Sequence, residues 1–360
     1  MHLKLLGIFL LGFNLVFAQP YSVPESIRTK YYYRPGDSVI PTEKASPALL
    51  KVLKGWIYLT GNSSLVEPTD GYDTILPLYQ FEYKAKHGGF FYLPTEVSNA
   101  AYRHFVQSAG NPMYTPDTGC WTSSYTYSEP YAHYYYQHPA YDNYPVCGVS
   151  YLQAKAYCHW LQDSLNNSLK KKNIPQRVEV DLPSSDEWIN VYYHAVRQYG
   201  QKQKIRIPGP TYLHFAMPGN ATRVVSGNWL SARLSVIKSQ SIYQLYTAAA
   251  DGIQPIGSVY HIMGNVAEWT RSEAKDHLFN HKEYTYTVTG LLVPNIYENH
   301  SKATLDKYVR GDKLNDLMAV KGGSWLDDPF YLQPGALYFV PKNQGRANIG
   351  FRPIIRVVKP

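Results

Sequence analysis

The stretch Lys321-Gly322-Gly323-Ser324-Trp325-Leu326-Asp327-Asp328, followed at Asn348 by Asn348-Ile349-Gly350-Phe351-Arg352, is the part of the chain whose reading decides the fold. It contains no cysteine. Asp327 places a hard oxygen three residues after Ser324, and five residues later Leu332 places no ligand at all. The 3 cysteines of the chain lie elsewhere, at Cys120, Cys147 and Cys158. Three cannot build a disulfide framework, and an odd count leaves at least one thiol unless chains are cross-linked. An oxidising compartment permits one intrachain bridge, for which Cys120 to Cys147 is the favoured pairing. A metal site made of all three thiolates would need a spacing that this set does not show.

Upstream of that stretch, four more segments carry local signals. The first is Gly264-Asn265-Val266-Ala267-Glu268-Trp269. In Leu182-Pro183-Ser184-Ser185-Asp186-Glu187-Trp188, Ser184 and Glu187 form a capping box that opens a helix. A longer helix follows Ser150, where Ala154, Tyr157, Cys158 and Leu161 share one face, which places Cys158 in a core. The run Gly89 to Leu93 reads as a strand, and Ser98 is placed to cap a helix carrying Ala101, Tyr102, Phe105 and Val106. Between these lie long stretches rich in Gly, Pro and Tyr, and no internal repeat appears, so a solenoid or propeller is excluded.

Residues 1–18 join a basic start at Lys4 to the apolar run Leu5 to Phe13 and end at Val16-Phe17-Ala18. This pattern is that of a secretory signal peptide cut after Ala18, and the apolar core is shorter than the roughly 20 residues of a spanning helix. No later segment is apolar enough to span a bilayer, so an exported chain in the periplasm or at the cell surface is expected. From Gln19 to about Gln80 the chain is rich in Tyr, Pro and Lys, with Tyr31-Tyr32-Tyr33 and a short helical stretch at Pro47 to Leu53. It reads as an N-terminal extension that packs on the main domain or on a partner. The expected organisation is thus a signal peptide at 1–18, an extension at 19–84 and a main domain at 85–360.

The formal net charge is +8, of which Lys4 supplies one unit, leaving +7 after processing. Lys170-Lys171-Lys172 reads as a polar loop, and a modest charge excess in an exported chain argues against a nucleic-acid partner. An acidic partner or an anionic surface remains compatible with it.

Taken in order, Thr95 to Ala100, Pro145 to Trp160, Leu182 to Trp188, Gly264 to Trp269 and the C-terminal stretch resemble the formylglycine-generating-enzyme (sulfatase-modifying-factor) superfamily. The resemblance spans roughly residues 85 to 357, and five motifs in order over about 270 residues make it specific. It implies an irregular α+β fold, shared with C-type-lectin-like domains and low in regular secondary structure. A narrower resemblance lies in Pro116-Asp117-Thr118-Gly119-Cys120-Trp121, Tyr127-Ser128-Glu129-Pro130, His138 to Val146 and Tyr331-Leu332-Gln333-Pro334-Gly335. These look like the gliding-motility and type IX secretion proteins of Bacteroidetes that use this fold without its oxidase chemistry. Members of that group are typically lipoproteins that assemble with a partner protein, and this chain lacks their lipid-bearing cysteine.

The resemblance also says which chemistry to expect. Active members carry one cysteine three residues after Gly-Gly-Ser and a second five residues later, because soft thiolates select Cu(I). Asp327 and Leu332 occupy those positions, so no copper and no catalysis are expected. Calcium is a candidate cofactor, since loop carbonyls and a carboxylate supply hard oxygens at short spacing. The resemblance implies one site from the carbonyls of Gly264 and Val266 with Glu268, where His261 replaces the usual Asn or Asp. It implies a second from Asn228, Asp251 and the carbonyls of Trp229 and Ile253. The competing reading is that these residues cap turns and tie loops. His133 and His138 flank Tyr134-Tyr135-Tyr136 and read as aromatic loop packing. The expected function is a non-catalytic structural or accessory component of a type IX secretion or gliding-motility machine, in contact with protein subunits of an outer-membrane-associated complex. The alternatives are a lectin-like glycan- or peptide-binding module and a divergent formylglycine-generating-type oxidase.

Overall fold

The computed structural model describes residues 42–60, 88–122, 128–203, 247–252, 255–274, 284–286, 292–294, 316–327 and 337–358. The described helices are α1 (Pro47–Val52), α2 (Asn99–Ala109), α3 (Glu129–Tyr134), α4 (Tyr151–Lys171) and α5 (Ser185–Gln203). The strands are β1 (Ile57–Leu59), β2 (Phe90–Tyr92), β3 (Arg177–Asp181), β4 (Ala267–Glu273), β5 (Tyr284–Tyr286), β6 (Leu292–Pro294), β7 (Leu317–Lys321), β8 (Tyr338–Pro341), β9 (Ile349–Gly350) and β10 (Ile354–Val358). The architecture is α+β with short strands and long irregular connections. One sheet, β1-β2-β10-β3, is antiparallel throughout. The other, β8-β7-β4-β9, is antiparallel except where β9 runs parallel to β4. Strands β5 and β6 pair with each other.

The helix starts follow from local chemistry. The Ser98 hydroxyl accepts from Ala101 N–H at 3.3 Å. Ser184 and Glu187 exchange side-chain and main-chain bonds at 3.1 and 2.8 Å, the capping box read from the sequence. A second box, Ser150 with Gln153, opens α4. Each cap satisfies donors that the first turn leaves without partners. Tyr102 and Phe105 of α2 and Ala154, Tyr157 and Cys158 of α4 are buried in the largest cluster, under Val178 and Val180 of β3 and Ile355 of β10. The lysines at the end of α4 depart from expectation. Lys170 and Lys171 form its last turn rather than a loop, where their charges complement the carbonyl end of the helix dipole.

Two polar side chains of α4 finish the outer edge of β3. The Asn166 amide donates to the Val178 carbonyl at 2.9 Å while its oxygen accepts from Val178 N–H at 3.0 Å. Gln162 Oε1 accepts from Val180 N–H at 3.1 Å. At the other end of the sheet, residues 42–60 are built into the fold. Leu49 and Leu53 join the main cluster, and β1 pairs with β2. Most of the expected extension and the whole signal segment lie outside the described residues.

Gly148 holds the start of α4 against the Asp117 loop in a left-handed conformation, φ +74°. A Cβ there would run into the Asp117 carbonyl oxygen, which is backbone and cannot swing away. Gly148→Ala is therefore expected to destabilise the domain by about 1–3 kcal/mol, read from the urea midpoint; an unchanged midpoint would show that this loop relaxes freely.

Candidate functional site

Three of the motif segments converge on one buried carboxylate, Glu268 of β4. Its Oε1 accepts from Arg352 Nη2 at 2.8 Å and from Nε at 3.0 Å, and its Oε2 accepts from Trp188 Nε1 at 2.9 Å. Both ionic partners are 1% exposed. Burial works against the Arg352 charge, but the Glu268 carboxylate more than offsets it and raises the guanidinium's pKa. The same guanidinium donates to the carbonyls of Leu93 at 2.8 Å and Tyr260 at 2.9 Å, so one side chain joins β10's approach, the end of β2, the 260 loop and β4. A parallel arrangement lies nearby. Glu187 pairs with Arg356 at 2.5 Å and with Arg271 at 3.3 Å. Burial alone would push the Glu187 carboxyl up, yet Arg356 and Arg271 hold it below the usual range.

Glu96, just before α2, faces this centre without a cation of its own. Its Oε1 accepts from Asn265 Nδ2 at 3.0 Å, and its Oε2 has no hydrogen-bond partner among the described residues. Burial pushes its pKa up to about 8; Arg352 opposes the shift and Glu268 adds to it. At neutral pH Glu96 is a protonated acid. Asn265, at φ 62°, spends its own oxygen on Ala248 N–H at 2.7 Å.

The Gly-Gly-Ser segment leaves β7 through two left-handed glycines, Gly322 at φ +90° and Gly323 at φ +63°. Gly264 N–H bonds to Gly322 O at 2.9 Å and Trp325 N–H to Asn265 O at 2.8 Å, which laces the two motifs together. Trp325 then stacks on Trp121 at 6.1 Å. Asp327 turns inward. Ser324 Oγ donates to Asp327 Oδ2 at 2.6 Å, and the Tyr338 hydroxyl reaches the same oxygen at 3.5 Å. Asn348 Nδ2 completes the network with bonds of 3.2 Å to Ser324 Oγ and 3.3 Å to the Tyr338 oxygen. Leu332 lies outside the described residues.

Cys120, Cys147 and Cys158 are all buried free thiols, so the pairing favoured from sequence, Cys120 with Cys147, is not formed. Burial first, and Asp117 second, push the Cys120 pKa up to about 12. Burial raises Cys147 and Cys158 well above the ordinary thiol range as well. Cys158 lies in the main cluster while Cys120 and Cys147 lie in a separate aromatic one, so the three thiols do not come together as one soft-metal site.

The residues around Glu268 do not fit calcium. Both carboxylate oxygens are committed to a guanidinium and an indole N–H, and a cation placed there would face Arg352. His261 adopts φ 49° and bonds through Nε2 to Ala249 O at 2.9 Å; burial brings its pKa down to about 4, so it sits neutral. The carbonyls of Gly264 and Val266 therefore lose the carboxylate that the expected site required. Of the second set, Asp251 is exposed and its Oδ1 accepts from the Asn143 amide at 2.5 Å, while Asn228, Trp229 and Ile253 lie outside the described residues. Melting midpoints with calcium and with chelator should accordingly agree in the wild type. A calcium-dependent rise that Asp251→Asn removes would instead assign a cation to the second set. His138 caps a short turn, accepting from Ala140 N–H through Nδ1 at 3.2 Å, and the rings of His133 and His138 meet Tyr134 edge-on, in line with aromatic packing.

Residues 42–357 match the family described as "Sulfatase-modifying factor enzyme 1-like domain". The chain belongs to this family. Among solved structures, PvdO from Pseudomonas aeruginosa is 16% identical, covering 84% of this chain and 94% of its own, with a TM-score of 0.48. CarF is also 16% identical, covering 84% and 98%, with a TM-score of 0.47. Treponema denticola variable protein 1 is 15% identical, covering 84% and 94%, with a TM-score of 0.46. No curated protein matches the chain.

Within the sulfatase-modifying-factor frame, several residues at the centre carry weight that sequence reading did not assign. Glu96 and Arg352 stand inside quoted motifs, but neither was given a role. The signal was there: each is a charged residue next to an apolar one, Glu96 before Val97 and Arg352 after Phe351. Tyr338 and Asn348 could not be found that way, because their bonds to the Ser324–Asp327 turn depend on how β8 returns beside β7.

Proposed function

We propose that this chain is a non-catalytic structural or accessory subunit of a type IX secretion or gliding-motility machine, exported to the periplasm or cell surface and acting through protein–protein contacts. What carries this reading is Asp327. The position that bears a catalytic cysteine in active relatives holds a carboxylate tied to Ser324 and backed by Tyr338 and Asn348. An internal hydroxyl–carboxylate tie stabilises the turn and offers no soft ligand for copper. The three cysteines are buried and divided between two clusters, which supports the same conclusion. Among the described residues no helix is long and apolar enough to cross a membrane.

Copurification from native outer membranes tests this reading. The tagged chain should bring down subunits of the secretion or motility machine in fixed stoichiometry; its recovery without them, or with a glycan as its sole companion, would overturn the assignment. A second expectation concerns catalysis. The double variant Asp327→Cys, Leu332→Cys restores the thiolate spacing, yet it should not convert a cysteine-containing peptide in the presence of copper and oxygen. Copper-dependent turnover by that variant would mean that an enzyme's groove survives around the segment.

A further inference from the structure

An open groove of about 760 Å³ is drawn from residues 113–117, 148–153 and 341–345. Its walls are fixed by bonds between distant segments. Gln153 donates through Nε2 to the carbonyls of Met113 and Thr115, both at 2.9 Å, while its Oε1 holds Ser150 N–H at 2.9 Å. Asp117 N–H bonds to Gly148 O at 2.8 Å, Gly148 N–H to Arg346 O at 3.0 Å and Leu152 N–H to Lys342 O at 3.2 Å. Gly345 packs on the Gly148 backbone so closely that no side chain fits between them. A cleft held in this way needs no ordering when a ligand enters, which lowers the cost of binding.

Its lining has three features that together define an occupant. Met113 is 80% exposed and Leu152 50% exposed, two large apolar side chains that the fold itself leaves uncovered. Asp117 is the one charged residue of the lining, and it makes no ion pair among the described residues. Its Oδ1 accepts from Gly119 N–H at 2.9 Å, which fixes the carboxylate in place. Asp117 thus places one negative charge in the lining of a chain of net charge +8. Along the third wall, the side-chain amide of Asn343 supplies a donor and an acceptor of the kind that pair with peptide groups, while Gln344 Oε1 accepts from Arg346 Nη2 at 3.1 Å and its amide nitrogen adds a donor.

We propose that this groove takes an extended peptide segment of a protein partner, an apolar side chain of which covers Met113 and Leu152 while an adjacent lysine or arginine meets Asp117. Methionine suits such a contact because its flexible thioether adapts to differing apolar shapes. The carboxylate supplies specificity, since a partner with an acidic residue at that point would be repelled. This deepens the reading given above, that the chain works through protein contacts, by naming a surface and the chemistry it selects.

The test uses the full-length mature chain and a displayed library of random heptapeptides, with a glycan array run beside it. Selection should enrich peptides that place a large apolar residue next to Lys or Arg. Synthetic copies should bind Leu152→Glu at least tenfold more weakly than wild type, and Leu50→Glu, at an exposed leucine elsewhere, as tightly as wild type. Asp117→Asn, which keeps the cap on Gly119, should erase the preference for the basic residue and leave the apolar preference. Failure to enrich any motif, or equal binding by wild type and a folded Leu152→Glu, would overturn the proposal. So would glycans whose binding Leu152→Glu abolishes, or concentration-dependent dimers that the same substitution dissolves, since these name other occupants. The outcome is separable from the copurification: a groove that selects such peptides in a chain that recovers no secretion subunit would remove the functional reading and leave the groove.

Discussion

Arg352→Met is expected to destabilise the domain by about 3–5 kcal/mol, the range for removing one partner of a buried ion pair. That is a large share of the 5–15 kcal/mol that typically holds a domain together. Methionine would fill much of the space but would leave Glu268 charged and buried, with Glu96 close by and only the Trp188 indole to hold it. It would also strip the carbonyls of Leu93 and Tyr260 of their donor, and buried acceptors without partners add to the loss. Urea unfolding followed by tryptophan fluorescence reads the effect. The companion variant Arg352→Met, Glu268→Gln should recover part of it, because the orphaned charge is then absent. A single variant within about 1 kcal/mol of wild type would contradict the role given to this guanidinium.

Glu96→Gln should act in the opposite direction. In the folded chain burial pushes the Glu96 carboxyl up to about 8, against 4.5 for an exposed glutamate. Where a folded-state pKa is raised, stability is fully present below the unfolded value and declines as pH rises toward the folded one, because only the unfolded chain releases the proton. The decline therefore falls between about pH 4.5 and pH 8. At pH 7 the difference amounts to about 3 kcal/mol. Glutamine cannot ionise, so the variant should be more stable than wild type at neutral pH by up to that amount and should lack this slope. Denaturation series from pH 5 to pH 8.5 compare the two chains, and parallel profiles would show that Glu96 is not held protonated. The unmatched Oε2 beside Glu268 is the geometric reason to expect a difference.

The elements with a local cause were legible in the sequence. Ser98, Ser150 and Ser184 announced their helices, because a cap is decided by a side chain and the three residues after it. The α+β character and the family followed from motif order. Elements decided over long distances were not legible. The lysines at the end of α4 are helical because Leu169 and the strand beyond it pack on the core, which tripeptide composition does not reveal. Glu268 reads in the sequence as a cation ligand; nothing in Gly264 to Trp269 indicates that Arg352, 84 residues away, bonds to its carboxylate. Likewise Cys120 and Cys147 both enter one aromatic cluster without bridging, a result of side-chain placement rather than of spacing.

The amide side chains that complete β3 bear on how this molecule can associate. An exposed strand edge is a template on which another chain can extend the sheet, and sheet extension is open-ended and indifferent to sequence. Here Asn166 takes both main-chain groups of Val178 and Gln162 takes the N–H of Val180, so these groups are not offered to a ladder. Assembly across this part of the flank is thereby restricted to contacts that read residue identity rather than to open-ended sheet extension. Asn166→Leu would remove both bonds to Val178 and uncover a template at a position where the wild-type chain has closed one.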